Sequence, residues 1–184
     1  AAGGTLTADA GGTLTLGDAQ TKGDQTLTAQ GDLTTTTLKS TDGKIVATSE
    51  SSQVQTGSTS AQAVTLTAKA GSIEADKSEA TTGDLSFKAA QDVLANTSSA
   101  KQDMLVDAGR DAKLGSTGAG RDIKVEAKQG IALETTDAGR DIILKSGRNT
   151  QAETTKAGGT LTADAGGTLT LGDAQTKGDQ TLTA

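Results

Sequence analysis

The sequence predicts an all-β fold: a right-handed parallel β-helix, or β-solenoid, of about nine coils of about 19 residues each. Three observations carry the prediction. Thr, Val, Ile and Leu fall in short alternating runs such as GTLTL, AVTLTA and DIKVEA, the period of a strand with one buried face. The chain has no Pro, Trp or Tyr and only one Phe and one Met, so its core is narrow. Residues 2–29, AGGTLTADAGGTLTLGDAQTKGDQTLTA, recur unchanged as 157–184 at an offset of 155 residues, which marks a repeat protein. The right hand follows from the general preference of parallel crossovers.

A shorter period lies inside the long one. An aliphatic or aromatic anchor is followed two positions later by a small residue, at Leu6, Leu27, Ile45, Leu66, Phe87, Val106, Val125, Leu144, Leu161 and Leu182. The small partner is Ala in every row except that of Leu144, where it is Ser146. Three positions before the anchor stand Gly3, Asp24, Asp42, Ala63, Asp84, Asp103, Asp122, Asp141, Gly158 and Asp179; Asp and Gly favour turns, so each row begins at a corner. Thirteen positions after the anchor a third column runs through Ala19, Ser40, Ser58, Ala100, Ala119, Ala138, Ala157 and Ala174. The row of Leu66 is the exception, with Ile73 and Ala80 each displaced by one, as a single inserted residue requires. Anchor spacings of 21, 18, 21, 21, 19, 19, 19 and 17 residues fill the 155-residue repeat, which therefore holds eight coils. One coil buries too few aliphatic side chains to offset the ordering of its backbone, so stability must reside in the stack.

Composition narrows the function classes. Low hydrophobicity with much Ser, Thr and Gly suits disorder, but the lack of Pro and the alternating runs oppose it. A net charge of −6 without a basic cluster argues against nucleic acid, and no apolar run is long enough to insert into a membrane. There is no Cys for a disulfide or thiolate site. The chain begins without Met or a signal segment, as expected of a piece of a longer tandem array, residues 1–184 forming one solenoid segment of it.

Rows such as AGRDIKVEAKQGIALETTD at 119–137 and AGRDIILKSGRNTQAETTK at 138–156, with GGTLTADAGGTLTLGDAQT, resemble the haemagglutinin repeats of filamentous haemagglutinin and related two-partner-secretion exoproteins. The resemblance covers essentially the whole chain. It implies an extracellular β-helical filament on a Gram-negative bacterial surface, exported through a partner outer-membrane transporter and used in adhesion, aggregation or biofilm cohesion. The secretion and toxin domains of that family are not visible in these residues.

Candidate sites are few. Gly3-Gly4-Thr5 and Gly11-Gly12-Thr13 begin like a calcium-binding nonapeptide, but Leu6 and Leu14 stand where that pattern needs Gly, so neither metal nor cofactor is expected. Thr5/Thr7, Thr26/Thr28, Thr65/Thr67, Thr160/Thr162 and Thr181/Thr183 suggest an ice-binding face, interrupted by pairs such as Lys44/Val46 and Ser86/Lys88. An outward column Lys88, Asp107, Glu126, Lys145 reads as a structural charge ladder, and Lys88, Lys124 and Lys145 are the candidates for a flank that binds matrix exopolysaccharide. Asp residues recurring once per coil do not gather in one cleft and there is no His, so a polysaccharide-acting enzyme ranks last. Asn96-Thr97-Ser98 fits a glycosylation acceptor. The expected function is the shaft of a cell-surface adhesin projecting a distal module, its main partners being neighbouring repeats of the same filament. Uncapped coil edges lead to the further expectation that the isolated chain polymerises.

Overall fold

The computed structural model describes residues 3–184, in which 19 strands and no helix are found. The odd-numbered strands are short: β1 (Leu6–Ala10), β3 (Gln25–Ala29), β5 (Ile45–Ser49), β7 (Val64–Ala68), β9 (Leu85–Ala89), β11 (Met104–Ala108), β13 (Ile123–Ala127), β15 (Ile142–Ser146), β17 (Leu161–Ala165) and β19 (Gln180–Thr183). The even-numbered strands have eight residues each: β2 (Leu14–Thr21), β4 (Leu33–Ser40), β6 (Val54–Ala61), β8 (Ile73–Ala80), β10 (Val93–Ala100), β12 (Ala112–Ala119), β14 (Ile131–Ala138), β16 (Thr150–Ala157) and β18 (Leu169–Thr176). Odd strands pair only with odd strands and even with even, all in parallel, giving sheets of ten and nine strands. The molecule is a β-solenoid, each coil one short and one long strand. Nine steps from β1 to β19 at about 4.8 Å each span roughly 43 Å along the axis.

The long strand is bent. In β10 the burial pattern places residues one, three, six and eight inward but leaves both the fourth and fifth outward, and the fourth, Asn96, drops out of the pairing register. Two consecutive outward side chains break the alternation and bend the strand, so the coil has three sides. The short strands alternate strictly, with three inward and two outward side chains.

The observed register corrects the anchor columns. Leu6 stacks on Gln25 and Ala8 on Leu27, so Leu6, Ile45 and Leu161 begin their strands, whereas Leu27, Leu66, Phe87, Val106, Val125, Leu144 and Leu182 are third residues. In those three rows the corner residues Gly3, Asp42 and Gly158 and the small residues Ala19 and Ala174 are out of phase by two as well, and Ser58 by three because the corner 50–53 also holds an extra residue; the true column equivalents of the last three are Thr21, Thr176 and Ala61. Counted from strand starts, the coils measure 19, 20, 19, 21, 19, 19, 19 and 19 residues, still 155 in all. Strand lengths stay constant and the corners absorb the difference. The inserted residue inferred in the row of Leu66 lies in the four-residue corner 69–72, where 90–92 has three.

The misleading cue was side-chain size. The third residues of the two strands in one coil are Ala8 with Leu16, Leu27 with Thr35, Leu66 with Ala75, Phe87 with Ala95, Leu144 with Ala152 and Ala163 with Leu171. In these six coils a large residue on one side is matched by a small one on the other, as close packing favours, whereas Ala47 and Thr56 are both small, and Val106 with Leu114 and Val125 with Leu133 both large. The second coil also starts on a polar residue: Gln25 is fully buried and donates to the Lys39 carbonyl at 2.8 Å and to Thr21 Oγ1 at 3.1 Å.

Candidate functional site

The corners carry the densest polar organisation of the molecule. In the corner Gly120-Arg121-Asp122, Gly120 N–H donates to the Ala100 carbonyl at 3.0 Å and Arg121 N–H to the Gln102 carbonyl at 3.0 Å. The third N–H, of Asp122, has no carbonyl to meet and donates instead to Asp103 Oδ1 at 3.2 Å. One coil later the scheme repeats: Gly139 N–H to Ala119, Arg140 N–H to Arg121, and Asp141 N–H to Asp122 Oδ1 at 3.2 Å. Thr160 N–H then meets Asp141 Oδ1 at 2.7 Å. A buried or half-buried N–H needs an acceptor, so an Asp at the end of one corner satisfies the next coil.

The other two residues of the triplet also address a neighbouring coil. The Arg121 guanidinium forms a fork with the carboxylate of Asp103, and Arg140 does the same with Asp122, its Nε lying 3.1 Å from Oδ1. At the opposite corner Arg110 reaches Asp92 Oδ2 at 3.2 Å, and Asp111 N–H donates to Asp92 Oδ1. Gly120 and Gly139 are required by close approach: a Cβ would run into the carbonyl of Lys101 or Gly120 in the preceding coil. No described residue has positive φ, so backbone conformation is not the reason. Gly-Arg-Asp is therefore a coil-to-coil interlock.

The titration of these groups reflects the same contacts. The hydrogen bond from Arg121 holds Asp103 below the ordinary aspartate pKa, against a smaller opposing effect of burial. Asp141 is lowered chiefly by the backbone N–H of Thr160, then by its hydroxyl. Arg121 and Arg140 are raised by their bonds to Asp103 and Asp122 respectively. All four charges are thereby committed to folding contacts.

The flank lysines lie on the short-strand sheet but in two columns. Lys88, Asp107, Glu126 and Lys145 stack as expected, while Lys124 belongs to the neighbouring outward column with Leu105 and Ile143. Lys88 lies 3.8 Å from Asp107, and Lys124 pairs with Glu126 at 3.1 Å, which relieves the Asp107–Glu126 repulsion. Lys145 stacks between Glu126 and Asp164. The three lysines are thus interleaved with carboxylates and do not form a cationic patch.

The corrected register also changes the Thr face. Thr5 and Thr160 sit in corners, and the outward pairs of the first four coils are Thr7/Asp9, Thr26/Thr28, Val46/Thr48 and Thr65/Thr67, after which Ser86/Lys88 ends the run. Gly3-Gly4-Thr5 and Gly11-Gly12-Thr13 form the two corners of the first coil. In the triplet Asn96-Thr97-Ser98, Asn96 is exposed at the bend of β10 and donates to Asp76 Oδ1 at 3.0 Å, whereas Ser98 is buried. On the long-strand side the bend forms a groove of about 620 Å³ whose walls include Thr34, Gln55, Glu74, Asp76, Leu94 and Asn96. This groove has no counterpart among the sequence-derived candidates, because its walls come from four coils and only the register brings them together.

Comparison with protein-family models, curated proteins and solved structures gives no match to this chain.

Proposed function

We infer that the chain serves as a non-enzymatic structural shaft, a segment of a secreted bacterial cell-surface adhesin that holds a distal module away from the cell and supports adhesion, aggregation or biofilm cohesion. The observation that carries this reading is the corner interlock: at Gly120-Arg121-Asp122 and Gly139-Arg140-Asp141, each residue type is directed at an adjacent coil rather than at a cleft. Carboxylates occupied in this way, one per coil along each corner, do not supply a pair poised for acid–base work. The long repeat supports the same reading, because Leu6 and Leu161 both begin short strands and 155 residues return the coil to its starting phase. The surface location and the export route through a partner outer-membrane transporter rest on the haemagglutinin-repeat resemblance.

A second reading is direct binding of matrix exopolysaccharide along the flank. It is favoured by the polar groove beside Gln55, Glu74 and Asn96, which runs across successive coils and so presents similar groups at a regular axial interval. Affinity chromatography on matrix polysaccharide separates the two. A rod-shaped protein that is not retained supports the shaft alone. Retention abolished by Glu74→Lys with Asn96→Ala places binding in the groove, while retention abolished by Lys88→Glu, Lys124→Glu and Lys145→Glu places it on the lysine flank. Release of new reducing ends from the polysaccharide overturns both readings.

A further inference from the structure

The sixth residue of the long strand forms an internal column that neither the adhesin reading nor the corner interlock uses. In coils three to eight it is Thr59, Ser78, Ser98, Thr117, Thr136 and Thr155, each between 0% and 3% exposed. None of these six hydroxyls has a protein hydrogen-bond partner. They lie in register, so consecutive hydroxyls are about 4.8 Å apart, beyond the reach of a direct hydrogen bond.

The hydroxyls are not forced on the fold. In coils one, two and nine the same position holds Ala19, Leu38 and Ala174, so an apolar side chain fits there. In those three coils the hydroxyl moves to the eighth position, as Thr21, Ser40 and Thr176, and each donates to a glycine carbonyl of the corner at 2.7–2.8 Å. In coils three to eight the eighth position is Ala throughout. Every coil therefore keeps one inward hydroxyl near this corner, at a position that has a backbone acceptor or at one that has none. Leaving six consecutive buried hydroxyls unpaired is costly where alanine or leucine would serve.

We propose that this column binds a single file of internal water molecules, one between each pair of successive hydroxyls from Thr59 to Thr155. A water about 2.8 Å from each of two oxygens 4.8 Å apart subtends an angle near that of its own bonds, so one molecule bridges each interval. Each hydroxyl then donates to one water and accepts from the next, and the file repeats with the period of the sheet. The neighbouring inward position of the same strands, the eighth, carries only the methyl group of Ala. Thr35 and Thr56, the third residues of β4 and β6, are also buried and without a protein partner.

The test uses the intact chain and its Thr117→Val variant, which preserves side-chain shape. Water-to-protein polarisation transfer in magic-angle-spinning NMR is read at the methyl groups of Thr117 and Thr136, which gives the same answer whether the chain is monomeric or polymerised. Expected are water cross-peaks at both residues in the parent; in Thr117→Val the transfer at Thr136 falls at least twofold and the denaturation midpoint is lowered. Absence of water transfer at these buried methyls in the parent overturns the proposal. So does a Thr117→Val midpoint equal to or above that of the parent, the result expected of a hydroxyl that has no partner.

Discussion

The carboxylate of Asp103 accepts a hydrogen bond from the backbone N–H of Asp122, one coil further along the axis, while the Arg121 guanidinium holds the same carboxylate from the side. Asp122 repeats the role for Asp141 and Arg140, so each aspartate is both a beneficiary and a donor of order to its neighbour. Asp122→Ala removes the only acceptor found for the Asp141 N–H together with the partner of Arg140. The expected loss is about 1–3 kcal/mol, set by the unpaired N–H rather than by the exposed ion pair. Asp122→Asn keeps an acceptor oxygen and should lose less than half as much. Chemical denaturation measures both, and amide exchange at Asp141 should accelerate in Asp122→Ala alone.

The same carboxylates set an acid limit. Asp103 and Asp141 have folded-state pKa values below the unfolded one, so their contribution is full above the ordinary aspartate range and is lost as pH falls through the folded values. Stability should therefore be flat from pH 7 to about pH 5 and decline from about pH 4 downward, more steeply at low salt. Asp103→Asn should flatten that decline. A denaturation series between pH 7 and pH 2 checks it; a parent curve whose acid slope is unchanged by the substitution contradicts the assignment.

Of the four Gly-Arg corners, one lacks its carboxylate. The triplet Gly147-Arg148-Asn149 follows Gly130 by one coil, and Gly130 has no side chain to offer the Asn149 N–H or the Arg148 guanidinium. A Cβ there would meet Asp111 Oδ1 at 3.1 Å, a contact relieved by a shift of a few tenths of an ångström. Gly130→Asp should stabilise the chain by about 1 kcal/mol, the worth of one hydrogen bond to a charged acceptor on a solvated corner. A thermal midpoint that does not rise counts against the interlock. Gly139→Ala should act oppositely and cost about 1–3 kcal/mol, because its methyl group falls on the Gly120 carbonyl.

Periodicity made the solenoid, its eight-coil repeat and the inserted residue before Ile73 legible, because burial alternates with the strand and small residues mark its ends. Phase was harder. Two inward positions stand two residues apart in the short strand, and the larger residue moves between them, from Leu6 to Leu27 to Ile45, so size does not report register. Gln25, polar yet fully buried, hid the start of its strand. Asp marks the corners by its turn chemistry, but that its carboxylate serves the following coil depends on a backbone N–H left over by the ladder. No pattern in one row of sequence reveals that.

The compensation between Phe87 and Ala95 provides a test of how the cross-section is filled. Phe87 is the largest buried side chain, fully enclosed, and the coil that holds it has Ala95 and Ser98 as inward residues of its long strand. Phe87→Ala should cost about 3–5 kcal/mol through lost transfer energy and the cavity left behind. If the two third positions share one volume, Ala95→Leu alone should also destabilise, by overpacking, at about 1–3 kcal/mol. The double variant Phe87→Ala with Ala95→Leu should then recover part of the sum, because each change supplies what the other removes. In a double-mutant cycle the coupling should exceed about 1 kcal/mol, well above the scatter of independent sites. Strict additivity would mean that the two sides of the coil are packed independently and that the alternation of large and small residues has another origin.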